Sequence, residues 1–234
     1  MIQQIFKFSV LPLKARVAIA MFAICGASAL VWAAPSQSIS SPVRFLFLLA
    51  LAVGTAHKKF HLYRNSSISF LTSVTLLSVL IASTAETLLI AVCGVAVQTY
   101  FPSRRLVPHR MIFNLGMISV TVAASCWIYA FCMSLSQGGT PNQLIAVIAA
   151  SSVYFLGNTV FVSLMIALTK NQSVWRLWLD HFAPSAPSFM IAGLLSLLVS
   201  QTMMRLPETV VLVLILPVVI GSYYYSVRLV RSPG

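Results

Sequence analysis

The sequence predicts an all-α fold: a polytopic transmembrane helical bundle of about eight spans, with no soluble domain. Three observations carry that prediction. Of the 234 residues, 59% are hydrophobic and 8% charged, whereas soluble domains carry about 25% charged residues. Only Glu86, Asp180 and Glu208 are acidic, too few to cover a water-facing surface. The apolar residues fall into runs near the length a bilayer requires, about 20 residues each, and Lys and Arg punctuate them.

The first run is Val17 to Ala34, closed by Pro35. Its basic start, apolar core and Trp32-Ala33-Ala34-Pro35 also suit a signal peptide. The run is longer than a usual signal core and more membrane segments follow, so it is read as retained. The second run, Val43 to Ala56, is short and ends at His57-Lys58-Lys59. Ser66 to Phe101 is broken only by Glu86. It is too long for one helix and barely long enough for two. It reads as two short spans with a turn near Ser83-Thr84-Ala85-Glu86; the alternative is one helix plus a re-entrant piece, giving seven crossings. Met111 to Leu135, Leu144 to Thr169, Ser188 to Met204 and Thr209 to Val227 complete the set. Residues 1–16 form a cytoplasmic or interfacial N-terminal segment, 17–227 a single transmembrane domain and 228–234 a short cytoplasmic tail. Ile2, Ile5, Phe6 and Val10 give the N-terminal segment a weak amphipathic character suited to a headgroup layer.

Loop charge favours the even count. Cytoplasmic loops hold the Lys and Arg. With eight crossings and both termini inside, every basic residue except Arg44 and Arg205 falls on one face. Seven crossings would split them. The net charge of +12 thus reads as an orientation signal. It does not read as nucleic-acid binding, which needs a basic stripe or arm. The chain is expected in a membrane with both termini on the cytoplasmic face, and the lipid bilayer is its main partner.

Ionisable and amide groups within spans are the candidate functional residues, because they are costly in lipid. Glu86 would bind a cation or take a proton; alternatively it sits at the outer turn and touches water. Asn114 lies four residues past Arg110, about 6 Å below the cytoplasmic edge. Asn158 lies twelve residues before Lys170, about 18 Å in and near the midplane. That difference in depth argues against a bond between them, so each needs another partner. Ser151, Tyr154 and Asn158 share one helix face, which would line a small pocket or pack against a neighbour. Ser67, Ser69, Thr72, Ser73, Thr75, Ser78, Ser83, Thr84 and Thr87 make the third and fourth runs rich in hydroxyls. These can bond back to helix carbonyls or across to another helix.

No serine has a His or Asp placed to activate it, so no catalytic site is expected, nor any cofactor. Cys25, Cys93, Cys126 and Cys132 all lie in apolar runs without a CxxC pair, and read as packing residues. His57 and His61 would share a face if their segment were helical, but Lys58 and Lys59 between them oppose a cation site. Pro217 is expected to loosen the last span. Tyr223, Tyr224 and Tyr225 there, and Trp175 and Trp178 earlier, read as interfacial anchors.

Four features occur in order. Arg110-Met-Ile-Phe-Asn114 opens one helix, and Val153-Tyr-Phe-Leu-Gly-Asn158-Thr159 sits within the next. A basic, Trp-bearing loop follows from Ser173 to Asp180, and Leu216-Pro217 comes late. From Phe45 to Arg228 this pattern resembles the multi-pass membrane-associated sensor domains of the MASE type, which in bacteria precede GGDEF or HD-GYP domains. The resemblance singles out Asn114 and Asn158 as pattern residues. Only Arg228 to Gly234 follow the last span as drawn, with no GGDEF-like motif. The resemblance therefore implies a sensor-like module that detects a small or lipophilic signal and relays it to a cytoplasmic signalling enzyme in trans. Homo-oligomerisation stays open. The alternatives are a small transporter or substrate-binding membrane subunit, which needs a water-accessible cavity at Asn158 or Glu86, and a structural subunit of a membrane complex.

Overall fold

The computed structural model describes residues 11–34, 41–56, 59–63, 66–101, 107–135, 140–206 and 210. It is helical apart from one short hairpin. Helix α1 spans Leu13–Ala33 and α2 spans Pro42–Thr55. Strands β1 (Lys59–Tyr63) and β2 (Ser66–Ser69) pair antiparallel, with Lys59 opposite Ser69. Then come α3 (Phe70–Ile81), α4 (Thr84–Tyr100), α5 (Pro108–Ser134), α6 (Thr140–Lys170), α7 (Val174–His181) and α8 (Ala186–Arg205). A 3-10 turn at Ala183–Ser185 joins the last two.

Local chemistry sets several boundaries. Ser41 caps α2 by accepting from the Arg44 amide at 3.3 Å, with Pro42 at the first helical position, where its missing N–H costs nothing. Ser83 and Glu86 form a capping box at the start of α4, each satisfying an amide that the helix leaves unpaired. Helix α6 stops where Asn171 takes a φ of 52° and the Gln172 amide returns to the Ala167 carbonyl at 3.2 Å. That is the left-handed stop that Asn tolerates better than most residues.

Four segments are long and apolar enough to cross a membrane: Leu13–Ala33, Pro108–Ser134, Pro141–Lys170 and the bent stretch Val174–Arg205. The shorter apolar helices Pro42–Thr55, Phe70–Ile81 and Thr84–Tyr100 are about 21, 18 and 25 Å long, against a hydrocarbon core of about 30 Å. The described residues thus hold seven apolar helices, of which four have full spanning length. Eight full crossings are not established. The eighth run, Thr209 to Val227, lies outside the described residues apart from Val210, as do Pro217, the three tyrosines and Met1 to Val10.

The seven apolar helices alternate in direction. Leu71 of α3 meets Gly94 of α4, and Thr87 reaches back to the Ser78 carbonyl at 3.0 Å, so these two form a tight antiparallel hairpin. Helix α5 opposes α4, with Asn114 beside Thr99 and Cys126 beside Thr84 and Thr87. Helices α1 and α5 run parallel: Phe22 stacks edge-on to Phe113, Gly26 abuts Gly116, and Trp32 shares a crevice with Ala123. Helix α8 opposes α6, through Phe189 on Phe155, Gly193 on Ser151, and Gln201 on Gln143. The bundle therefore has two chemically distinct ends. Lys14, Arg16, Arg110, Lys170 and Arg176 mark one, which also carries α7. Glu86, Arg44 and Arg205 mark the other.

Small hydroxyl residues are mixed into an apolar interior, and the perimeter is large and apolar. Thr75, Ser78, Thr87, Thr121, Ser125, Ser151 and Ser163 are fully or almost fully buried beside Leu48, Leu88, Ile90 and Val122. Leu13, Val17, Met21, Ile24 and Val31 form an exposed stripe on α1, and Ile191, Leu194, Leu195 and Leu198 do so on α8. Water would penalise that distribution; lipid favours it. Small residues let helices approach closely where lipid supplies no hydrophobic drive to associate. The α1–α5 seam goes furthest: a Cβ on Gly26 would lie 2.5 Å from the Gly116 Cα.

Three sequence-based expectations are corrected. The third run does not start a helix at Ser66, because Ser66 to Ser69 pair as a strand and α3 begins at Phe70. The segment that holds His61 is not helical, because it forms β1; His57 lies outside the described residues. The first helix begins at Leu13, four residues before the expected start, because Pro12 supplies the entry and its carbonyl accepts from Ala15 and Arg16.

Candidate functional site

The candidate residues fall into three places. The first is where α3, α6 and α8 meet. Ser151 and Tyr154 of α6 are 1% and 2% exposed. The Tyr154 hydroxyl lies within hydrogen-bonding reach of Thr75 and Thr72 on α3, and its ring packs 6.0 Å from Phe189 of α8. Ser151 points at Gly193 of α8, where any Cβ would collide with its hydroxyl. Its Oγ is buried without a hydrogen-bond partner among the described residues. Most other buried hydroxyls return to the carbonyl four residues earlier, as Thr75, Ser78, Ser125 and Ser163 do. Ser196 of α8 does this and also reaches the Ser73 carbonyl of α3 at 3.2 Å. This junction thus combines a close helix approach at Gly193, a hydroxyl bond from Ser196 to α3 and one unpartnered hydroxyl at Ser151.

The second place is toward the basic end. Asn114 donates to Thr99 Oγ1 across α4 and α5 at 2.9 Å, so it finds a partner other than Asn158. Asn158 is half-buried, and its side chain makes no hydrogen bond among the described residues. Next to it in sequence, Gly157 faces Thr121, whose buried Oγ1 is also unpartnered. The Trp-bearing loop does more than anchor. Trp178 of α7 donates to Thr159 Oγ1 at 3.0 Å and packs against Phe155, while Trp175 stacks on it at 5.4 Å. Helix α7 buries none of its residues fully, so this short amphipathic helix lies along the bundle and is tied to α6 by one indole.

The third place is the opposite end. Glu86 sits at the α3–α4 turn and is 3% exposed there. Its Oε2 accepts from the Ser83 amide at 2.7 Å, while Oε1 is buried and without a partner among the described residues. Glu86 also lines a cavity of about 430 Å³ formed by Leu30, Ala33 and Ala34 of α1 and its end, Phe45 of α2, and Ser83, Ala85, Leu88 and Leu89 around the start of α4. Glu86 and Thr99 stand at opposite ends of α4, about 20 Å apart at 1.5 Å per residue. The five residues singled out in the sequence therefore do not form one site. Ser151 and Tyr154 share a junction, whereas Asn114 and Glu86 lie at opposite ends.

The sequence reading missed Thr99, Thr121, the Gln143–Gln201 pair and the cavity. The two glutamines were legible as amides within apolar surroundings; the cavity has no signature in the chain. Among the described residues, no three His, Cys, Asp or Glu side chains gather to hold a metal ion. All four cysteines are free thiols.

The sensor-like pattern extends beyond a few residues. The profile of the MASE9 family matches residues 29–228, from the end of α1 through the last apolar run. The chain belongs to the MASE9 family. MASE9 domains are membrane-associated sensor domains, and their several apolar helices place this one in a lipid bilayer. No curated protein and no solved structure matches the chain. The MASE9 match spans all three places described above, and includes both asparagines that carried the resemblance.

Proposed function

We propose that this MASE9 domain detects a small or lipophilic signal from within or beyond a bacterial inner membrane and relays it through α8 to a signalling enzyme in trans. The observation that carries the reading is the α3–α6–α8 junction. Ser151 is buried and unpartnered against Gly193, and Ser196 divides its hydroxyl between two helices. A small shift of α8 would exchange these bonds at little cost. The reading requires two such packings, since a ligand moves an equilibrium only by its differential affinity for the two states. Helix shifts of about 1–2 Å at an interface suffice in other switching proteins.

The basic end faces the cytoplasm in this reading. Lys14, Arg16, Arg110, Lys170 and Arg176 lie there, and cytoplasmic loops concentrate Lys and Arg. Helix α7, with Trp175 and Trp178, then lies in the inner interface.

The test is recovery of the tagged protein from its native membrane in mild detergent, with mass spectrometry of what accompanies it. The expected companion is a second-messenger enzyme or a histidine kinase. Reproducible recovery with an ATPase or a solute-transport subunit would replace the sensor reading with transport.

A further inference from the structure

We propose that the cavity at the Glu86 end binds an apolar molecule carrying a primary ammonium head, with Glu86 Oε1 accepting its hydrogen bond. This goes beyond the sensor reading and holds whatever the domain signals to.

The argument begins with the carboxyl group. Its two oxygens have different fates. Oε2 is used by the capping box, accepting from Ser83 at 2.7 Å. Oε1 is buried, in a side chain only 3% exposed, and has no partner among the described residues. A buried acceptor left unsatisfied is costly, and more so when it carries charge. The capping box would form equally well with Gln at this position, so helix capping alone does not require a carboxylate here.

The second observation is the space. Glu86 lines a cavity of about 430 Å³, within the range of about 300–1,000 Å³ typical of small-molecule sites. The rest of its wall is almost wholly apolar: Leu30, Ala33, Phe45, Leu88 and Leu89. Three helices converge on it, so its shape is set by the bundle and not by one loop. An apolar wall with one buried acceptor recognises an amphiphile. A carboxylate accepts only, which excludes an anionic head, and a charge-assisted bond to an N–H donor is the strongest it can make. Arg44 and Arg205 also lie at this end, but neither is among the lining residues. A primary ammonium fits, whether it belongs to an ethanolamine lipid or to a free aliphatic amine.

The test uses the full chain in nanodiscs of phosphatidylcholine, whose choline head has no N–H. Octylamine is titrated and binding is followed by thermal unfolding and by native mass spectrometry, with octanol as the matched control. Octylamine is expected to bind saturably and at least tenfold more tightly than octanol. Glu86→Gln keeps the capping box and the volume but replaces one acceptor by a donor; at least tenfold weaker octylamine binding is expected. Ala34→Leu fills the cavity without touching the carboxyl and is expected to lose binding as well. If phosphatidylethanolamine nanodiscs raise the melting temperature of the wild type and block octylamine, the lipid head is the occupant. If octylamine binds equally in both lipids, a free amine is. Equal binding of octylamine and octanol, or wild-type binding by either variant, would overturn the proposal.

Discussion

Gly116→Ala tests the closest contact in the bundle. A Cβ on Gly116 would collide with the Phe22 carbonyl oxygen and lie 2.5 Å from its carbon and 3.0 Å from the Ala23 nitrogen. All three are backbone atoms of α1, so no rotamer change relieves the clash. Ordinary carbon contacts begin near 3.5 Å, so α1 must retreat by about 1 Å. That retreat loosens the cluster of Ile19, Phe113 and Met117, with Phe22 packed against it, and the edge-on contacts of Phe22 with Phe113 and Phe161. Overpacking a close-packed site costs about 1–3 kcal/mol. With only rigid backbone to yield, the upper value of about 3 kcal/mol is expected. At about 2–4 °C per kcal/mol for a chain of this size, the melting temperature should fall by about 6–12 °C. The control is Gly54→Ala, where an added Cβ meets nothing within 4 Å. There the gain in helix propensity, up to about 1 kcal/mol, should leave stability unchanged or raised. Both variants are read by tryptophan-monitored unfolding in one detergent. If Gly116→Ala melts with Gly54→Ala, α1 does not rest backbone to backbone on α5.

Tyr154→Phe removes a buried hydroxyl from Thr72 and Thr75; interhelical polar bonds in membranes average about 0.6 kcal/mol, so a fall of about 1–3 °C is expected, and an unchanged melting curve would argue that the hydroxyl is not engaged. A double-mutant cycle of Asn114→Ala and Thr99→Ala should give a coupling of about 0.6 kcal/mol, whereas Asn114→Ala and Asn158→Ala should add to within about 0.5 kcal/mol. Ser83→Ala removes the α4 cap and should cost about 1 kcal/mol, while Glu86→Gln should leave the melting temperature of the ligand-free protein within about 2 °C of wild type because the capping box persists.

The order of helices was legible because run length and loop charge are properties of the chain alone. The break between α3 and α4 was legible for a chemical reason: Ser83-Thr84-Ala85-Glu86 is a capping box written in sequence. The strand at Ser66–Ser69 was obscured because it continues into the helix that begins at Phe70, and serines carry little periodicity. The helix seams were not legible. Nothing in the sequence says that Gly116 meets Phe22 and Gly193 meets Ser151, since those pairings depend on how helices rotate about their axes. The same limit separates the site residues. Ser151 and Tyr154 are spaced along one helix and were found together. Asn114 finds Thr99 only because α4 and α5 fold back on each other, and the surroundings of Glu86 come from the ends of three helices.

The account depends on the Glu86 end and the basic end facing opposite sides of the membrane, with the basic end toward the cytoplasm. Single cysteines at Ala82, Leu206 and Gln172, in a chain whose four native cysteines are replaced, would be exposed in intact spheroplasts to a membrane-impermeant maleimide. Ala82 and Leu206 lie at the Glu86 end, and Gln172 follows α6 at the basic end. The expected result is labelling at positions 82 and 206 from outside, and at 172 only after permeabilisation. Labelling of 82 and 172 from the same side would contradict the alternating arrangement and, with it, the cytoplasmic placement of the basic end.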